Sequence, residues 1–549
     1  MLRPSPPVAP GREPRRRHRP ARARRGRPGP PQPRGRAIRS SRSARSSSRS
    51  TPSPPSSSAP TRRARGPRVA LSEDVLFSGV DALSQRLRAR ELSPVELTEA
   101  FLARIDAHAG RLGCFVTVTP ERALAEARAA ETELAAGRWR GPLHGVPFGL
   151  KDLVDTAGIR TTFGAAPYAD RVPTRDAAIV TRLAQAGAVL LGKLSMVELA
   201  GGLGYHTGAA ALNGPCRTPW DLARWSGGSS SGAGSAVAAG LVAFAIGSET
   251  WGSITCPSAF CGVTGLRPTY GVVPRHGAMA LSYTMDKLGP MARSARDCAL
   301  VLDAIAGPDA RDPSAISPPP GLARVRPQVA RGLRVAVLGF PEKPEPAPGA
   351  REAFARAEEV LREAGGLLEP AALPELPYEP LANLFIEAEV ATACEELIRS
   401  GRTRELADAS HRAKRPEDYL PKANAADYVR AMRVRGEVQR ALAGFFTRHD
   451  LVLAPNLPFT PPRVDENFDA LFASPDPLGA AGNVAGLPAV AVPMGFSGGL
   501  PLSMQLVGPP LEEGRLLSVA ALFQARTEHH LARPDLSPPA VPMAAVTPR

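Results

Sequence analysis

Between Gly141 and Gly271 short apolar runs alternate with helical segments and glycine-rich loops. Ala188-Val-Leu-Leu191 and Val242-Ala-Phe-Ala-Ile246 have no polar face, which fits strands buried on both sides. Such strands need helices packed over them, so the alternation predicts an α/β sheet with helices on its faces. Residues 333–338 read as one more buried strand, followed by a helix over 350–364. Core texture returns at Gly486–Pro493 and Leu502–Val507. Upstream, Ser93-Pro94-Val95-Glu96 reads as a capping box with proline at the first helical position. It opens a helix that carries Leu97, Phe101, Leu102 and Ile105 on one face, and an alanine-rich helix follows at about 120–136. From about 370 to 478 the texture becomes helical and proline-rich, without strong strand signals. That stretch reads as a variable cap or insertion over the sheet.

Charge separates the chain into unlike parts. Residues 1–70 hold twenty arginines, no lysine and one acid, Glu13. The net +16 of the whole chain is therefore the +19 of this segment less three net negatives in the rest. Residues 1–68 have almost no large apolar side chains and cannot offset the entropy of ordering, so they are expected to be a disordered Arg/Pro/Ser-rich tail. Three roles fit the tail: an organelle-targeting leader on an otherwise cytoplasmic protein, a nucleic-acid-binding arm, or an extension that contributes nothing. The ordered body is expected over 71–535, and 536–549 reads as a frayed end. Six cysteines without CxxC or Cys/His spacing point to buried free thiols, with no metal site. The longest apolar run, Ala236–Gly247, is about half of a bilayer span, so no membrane segment is expected.

Lysine usage is the most pointed chemical signal. Of 68 basic residues only six are lysines, and the first is Lys151, in Leu143-His-Gly-Val-Pro-Phe-Gly-Leu-Lys-Asp152. Arginine stays charged in a protein, whereas a buried lysine can lose its proton and serve as a base. Downstream lie two serine-bearing glycine stretches, Ser226–Ser235 and Ser248–Ser253. The first fails as a phosphate cradle, because no Gly-Lys-Ser/Thr follows it. It runs straight into an apolar helix at Ser235–Leu241, which a flexible linker would not do. The second follows a buried run and presents Ser253 after successive backbone N–H groups, a layout that suits a nucleophile with its oxyanion hole. Histidines are scattered, and His144 reads as structural. Asp152 reads as a loop anchor.

Taken together, Gly145–Asp152, Ser226-Gly-Gly-Ser-Ser230, Gly247-Ser-Glu-Thr-Trp-Gly-Ser-Ile254 and Pro257–Gly271 resemble the amidase signature family. The spacing of Ser229 and Ser253, Met285–Met291 and Gly486–Pro493 extend the likeness to roughly residues 75–525. The resemblance implies an α/β amidase-signature fold, with a central mixed β-sheet covered by helices on both faces, in a single large domain with a helical insertion. It implies a Ser-cisSer-Lys triad. Lys151 would be the neutral base, Ser229 would relay the proton after a cis Gly228–Ser229 peptide, and Ser253 would attack. Backbone N–H groups of Thr250, Trp251, Gly252 and Ser253 would bind the oxyanion, and Ser230 would support the triad. No cofactor or metal is implied.

Three positions depart from the family's usual Asp-Thr-Gly-Gly-Ser-Ile-Arg. Glu249 stands for the aspartate and Trp251 for a glycine, while Thr255 occupies the place where arginine is common. Trp251 and Thr255 are accordingly candidate pocket residues. Their chemistry favours a stand-alone amidase acting on a neutral small or aryl/alkyl amide, either alone or as a homodimer. The alternative is the glutamine-hydrolysing component of a tRNA-dependent amidotransferase, working with partner subunits. Nucleic acid would otherwise be met only through the arginine-rich tail.

Overall fold

Eleven strands of the computed structural model, which describes residues 71–326 and 330–537, form one mixed sheet. The expectations for residues 1–68, and for all but the first two residues of 536–549, lie outside the described residues. In chain order the strands are β1 Phe115–Val118, β2 Pro147–Lys151, β3 Val189–Leu194, β4 Arg217–Thr218, β5 Asp221–Trp225, β6 Phe244–Glu249 and β7 Thr264–Arg267. They continue with β8 Lys287–Ala292, β9 Arg334–Val337, β10 Leu367–Pro370, β11 Leu451–Pro455, β12 Ala489–Ser497 and β13 Leu500–Val507. Across the sheet the order is β1-β3-β2-β6-β8-β7-β12-β13-β11-β9-β10, while β4 and β5 pair separately.

The central pairing sets the rest. β2 runs parallel to both β3 and β6, whereas β6, β8, β7, β12, β13 and β11 are successively antiparallel. Phe148 of β2 faces Phe244 of β6 in register, and their rings stack at 5.3 Å. All five residues of β2 are buried, as are all six of β3. This explains their unbroken apolar texture, because both faces carry helices. The expected α/β architecture is thus present, a mixed sheet with helices on its faces, and the described residues from Leu71 onward form one compact unit. Among the described residues no helix is long and apolar enough to cross a membrane.

Local signals act as their chemistry dictates. Ser93 caps the helix Pro94–Leu112 by accepting from the N–H groups of Val95 and Glu96 at 3.1 and 3.3 Å. Leu97 and Phe101 are fully buried on that helix. The helix after the glycine-serine loop starts earlier than its apolar run indicates, at Ser231 rather than Ser235, and ends at Ala238. Its glycines hid it, yet they serve contact. A Cβ on Gly232 would lie 2.4 Å from the carbonyl oxygen of Cys114, so only glycine fits there.

The stretch 370–478 contains the long helices Tyr378–Ala393 and Ala425–Phe446, which build a second apolar cluster around Leu381, Phe385, Leu442 and Phe445. It also contributes β11 to the sheet, between β13 and β9. That strand is five residues long and ends in proline, which is why no strong strand signal stands out there.

Packing and capping predict different costs. Leu150→Ala, at a fully buried position in β2, should destabilise by about 2–5 kcal/mol. Ser93→Ala should cost about 0.5–2 kcal/mol through the lost cap. Urea melts of both variants check the ranking.

Candidate active site

Lys151 ends β2, and the parallel register places Leu150 opposite Ile246 of β6. The lysine therefore comes abreast of the end of β6, where Ser248 and Glu249 lead into the turn 250–253. Its side chain is fully buried. Nζ lies 2.8 Å from Ser229 Oγ, 2.9 Å from Ser230 Oγ and 2.9 Å from Ser248 Oγ. An ammonium would donate to all three hydroxyls. A neutral amine would donate to two and offer its lone pair to the third. Burial pushes the amine down from its ordinary value to about 7, against the opposing pull of Asp286 and Glu249.

Ser229 follows the cis Gly228–Ser229 peptide, and its Oγ lies 3.0 Å from Ser253 Oγ. Lys151, Ser229 and Ser253 thus form a continuous line of hydrogen-bonding groups, although 78 and 24 residues separate successive members. Ser230 ties the two serine loops together. Its Oγ accepts from the Ser248 N–H at 3.2 Å, and its own N–H donates to the Ser253 carbonyl at 3.3 Å. Gly228-Ser-Ser-Ser-Gly232 also spells a Gly-x-Ser-x-Gly frame around Ser230, but that serine is fully buried against Lys151 and Ser248. Ser253, at 8% exposure, is the more accessible hydroxyl.

The turn takes its left-handed step at Gly252, with φ of 80°, so Trp251 keeps an ordinary backbone. Among the described residues the N–H groups of Trp251, Gly252 and Ser253 bond no protein acceptor. Thr250 Oγ1 donates to Asp286, whose carboxylate also accepts from the N–H groups of Leu281 and Ser282. Trp251 packs against the second apolar cluster, and its Nε1 donates to Asp476 at 2.8 Å. Asp476 also caps the helix Pro477–Ala485 through Gly479 N–H. Thr255 is buried and opens the helix Thr255–Cys261. A cavity of roughly 230 Å³ adjoins the site, with Leu153, Ala200, Ser248, Thr250, Leu281 and Asp286 in its wall. Trp251 and Thr255, singled out as pocket candidates, do not line it.

His144 is buried and accepts from the Arg140 N–H, a structural placement. Asp152 receives both the N–H and the hydroxyl of Thr162, which anchors the loop beyond β2. Among the described residues no group of His, Cys, Asp or Glu could hold a metal ion. Sequence reasoning missed Ser248, Asp286, Glu249's partners and two further buried lysines, Lys193 and Lys287. The scarcity of lysine could have flagged that pair. Lys193 donates to Thr161 and lies 3.8 Å from Asp152, while Lys287 donates to Asn483 at 2.7 Å.

Known proteins resemble this chain over most of its length. The family model described as Amidase matches residues 96–517. The A subunit of the glutamyl-tRNA(Gln) amidotransferase of Moorella thermoacetica is 40% identical over 483 residues, covering 83% of this chain and 97% of that protein. The protein of the same name from Carboxydothermus hydrogenoformans is 36% identical over 492 residues, covering 84% and 100%. Among solved structures, the native peptide amidase from Stenotrophomonas maltophilia superposes with a TM-score of 0.72 at 32% identity, covering 82% of this chain and 97% of that one.

The buried amine generates a stability prediction. Below pH 7 the lysine is protonated in both folded and unfolded states, and burying its charge is costly. Between about 7 and 10.5 the unfolded chain binds the proton more tightly, so the wild type gains stability as pH rises. Lys151→Met lacks this gain. Its melting temperature should exceed that of the wild type most at pH 6, with the gap narrowing toward pH 10. A pH-independent gap in calorimetry would place the Nζ titration at its ordinary value.

Proposed function

Because the chain belongs to the amidase family, we propose that it cleaves a carboxamide C–N bond through an acyl-Ser253 intermediate. The observation that carries the proposal is the line from Lys151 Nζ to Ser229 Oγ (2.8 Å) to Ser253 Oγ (3.0 Å). Neutral Lys151 takes the Ser229 proton while Ser229 takes that of Ser253, and Ser253 Oγ attacks the carbonyl carbon. The N–H groups of Thr250, Trp251, Gly252 and Ser253 receive the developing negative charge. Collapse breaks the C–N bond, and the proton held by Lys151 returns through Ser229 to the leaving amine. Water then enters by the same route and releases the acid. Ser230 and Ser248 fill the remaining hydrogen-bonding places of Nζ and keep its lone pair directed at Ser229.

The amide itself has two readings. Sequence identity to the amidotransferase relatives supports glutamine as the amide and partner subunits as recipients of the ammonia. On identity alone this is the better supported reading. The stand-alone amidase rests on the departures from the family's usual turn: Trp251 and Thr255 stand where glycine and arginine are common, so the turn brings no cation of its own for a charged substrate. The likeness to a peptide amidase is the other support for an amide other than glutamine.

Ser253→Ala should lower kcat by at least about 10³-fold without unfolding the protein, and a fluorophosphonate should label residue 253 in the wild type only. Lys151→Arg should stay inactive, because a guanidinium cannot accept the proton. The single chain should release ammonia or amine from neutral amides when screened with primary amides, anilides, amino-acid amides and glutamine. Glutamine hydrolysis that appears only with partner subunits and tRNA would assign the chain to the amidotransferase reading.

A further inference from the structure

One carboxylate holds the serine turn from behind. Glu249, the last residue of β6, is fully buried. Its Oε2 accepts from the N–H groups of Ile254 and Thr255, at 2.9 and 3.0 Å, the first two amides after Ser253. Its Oε1 accepts from Arg267 Nη1 of β7 at 2.8 Å and from Asn483 Nδ2 at 3.1 Å. Two contacts therefore grip the turn and two grip the frame. The frame is itself fixed: Arg267 Nε donates to the Leu487 carbonyl at 3.0 Å, and Asn483 Oδ1 accepts from Lys287.

Electrostatics keep this carboxylate ionised. Burial alone would raise its pKa, but the Arg267 guanidinium, with Lys287 and the Ile254 N–H, outweighs burial and holds it down at about 2. The cation comes from β7, which lies beyond β8 in the sheet, since residue 255 is threonine and has none to give. Glutamate and Arg267 thus do across two strands what an acid and a basic residue within one turn could do locally.

Resting on the reading of Ser253 as nucleophile, we infer that Glu249 is a positioning residue for the reaction, with Arg267 and Asn483 aiming it. By fixing both sides of the turn, it holds Ser253 Oγ and the N–H groups before it in one mutual geometry as charge builds on the carbonyl oxygen. Donors already in place need no reorganisation at that moment. A displacement of about 1 Å in such a constellation can cost on the order of 10²-fold in rate.

Glu249→Asp is the discriminating variant, because it keeps the charge beside Arg267 but withdraws the carboxylate by about 1.5 Å, one C–C bond. Glu249→Gln keeps the reach and loses the charge, and Arg267→Lys keeps the cation but not its fork. The full chain of each is compared with wild type for thermal melting, kcat, KM and the rate of Ser253 labelling by a fluorophosphonate. Folded E249D should lose about 10²-fold in both kcat and labelling rate. KM should stay within about twofold, and the pH profile should not shift, because Lys151 is untouched. Should E249D not fold, the same split in E249Q or R267K carries the test. Wild-type kcat and labelling in a folded E249D would overturn the inference, as would loss of folding in all three variants. Absence of Ser253 labelling in the wild type is a different failure, which overturns the acyl-serine reading instead.

Discussion

The parallel pairing of β2 with β6 is the constraint on which the rest of the site depends. Two strands that run the same way end on the same edge of the sheet, so a lysine closing one and a serine turn closing the other become neighbours. Distance in sequence is irrelevant to that outcome. The glycine-serine loop reaches the same edge by entering the helix Ser231–Ala238, whose small side chains permit close packing under the sheet. Three segments that no local contact would join therefore meet around one amine.

Burying that amine is expensive, and the surroundings show how the cost is contained. Lys151, Lys193 and Lys287 are all nearly or wholly inaccessible, and burial depresses the pKa of each. Lys151 is surrounded by hydroxyls rather than by a bonded carboxylate, so nothing at contact distance restores its charge. Glu249, in contrast, has a guanidinium in direct contact and remains an anion. Two groups near one site are thus tuned in opposite directions, the amine toward its neutral form and the carboxylate toward its charged form.

Much of this was legible in the sequence. The α/β sheet followed from apolar runs, lysine scarcity and the two serine loops drew attention to Lys151 and those loops, and the family resemblance implied the meeting of Lys151, Ser229 and Ser253. Ser93 capped its helix as its position required. What stayed hidden was long-range. Glu249 meets Asn483 across 234 residues, and Trp251 meets Asp476 across 225, so no window of sequence reveals either contact. Trp251 and Thr255 attracted attention as departures from a pattern, yet the indole turns to the helical layer and the threonine is buried at a helix start. The strand β11 was masked by brevity and by its proline.

The distribution of lysines has a practical side. Beyond the three buried amines, the chain has only Lys343, Lys414 and Lys422, of which two are exposed and one is half-buried. Amine-directed reagents such as activated esters therefore meet very few targets on this protein. Apart from the α-amine, coupling to a support would proceed through those three positions, all outside the strands that carry the serine cluster. Reductive methylation, often used to change a protein's surface, would alter this one little. Arginine-directed dicarbonyls would instead react widely.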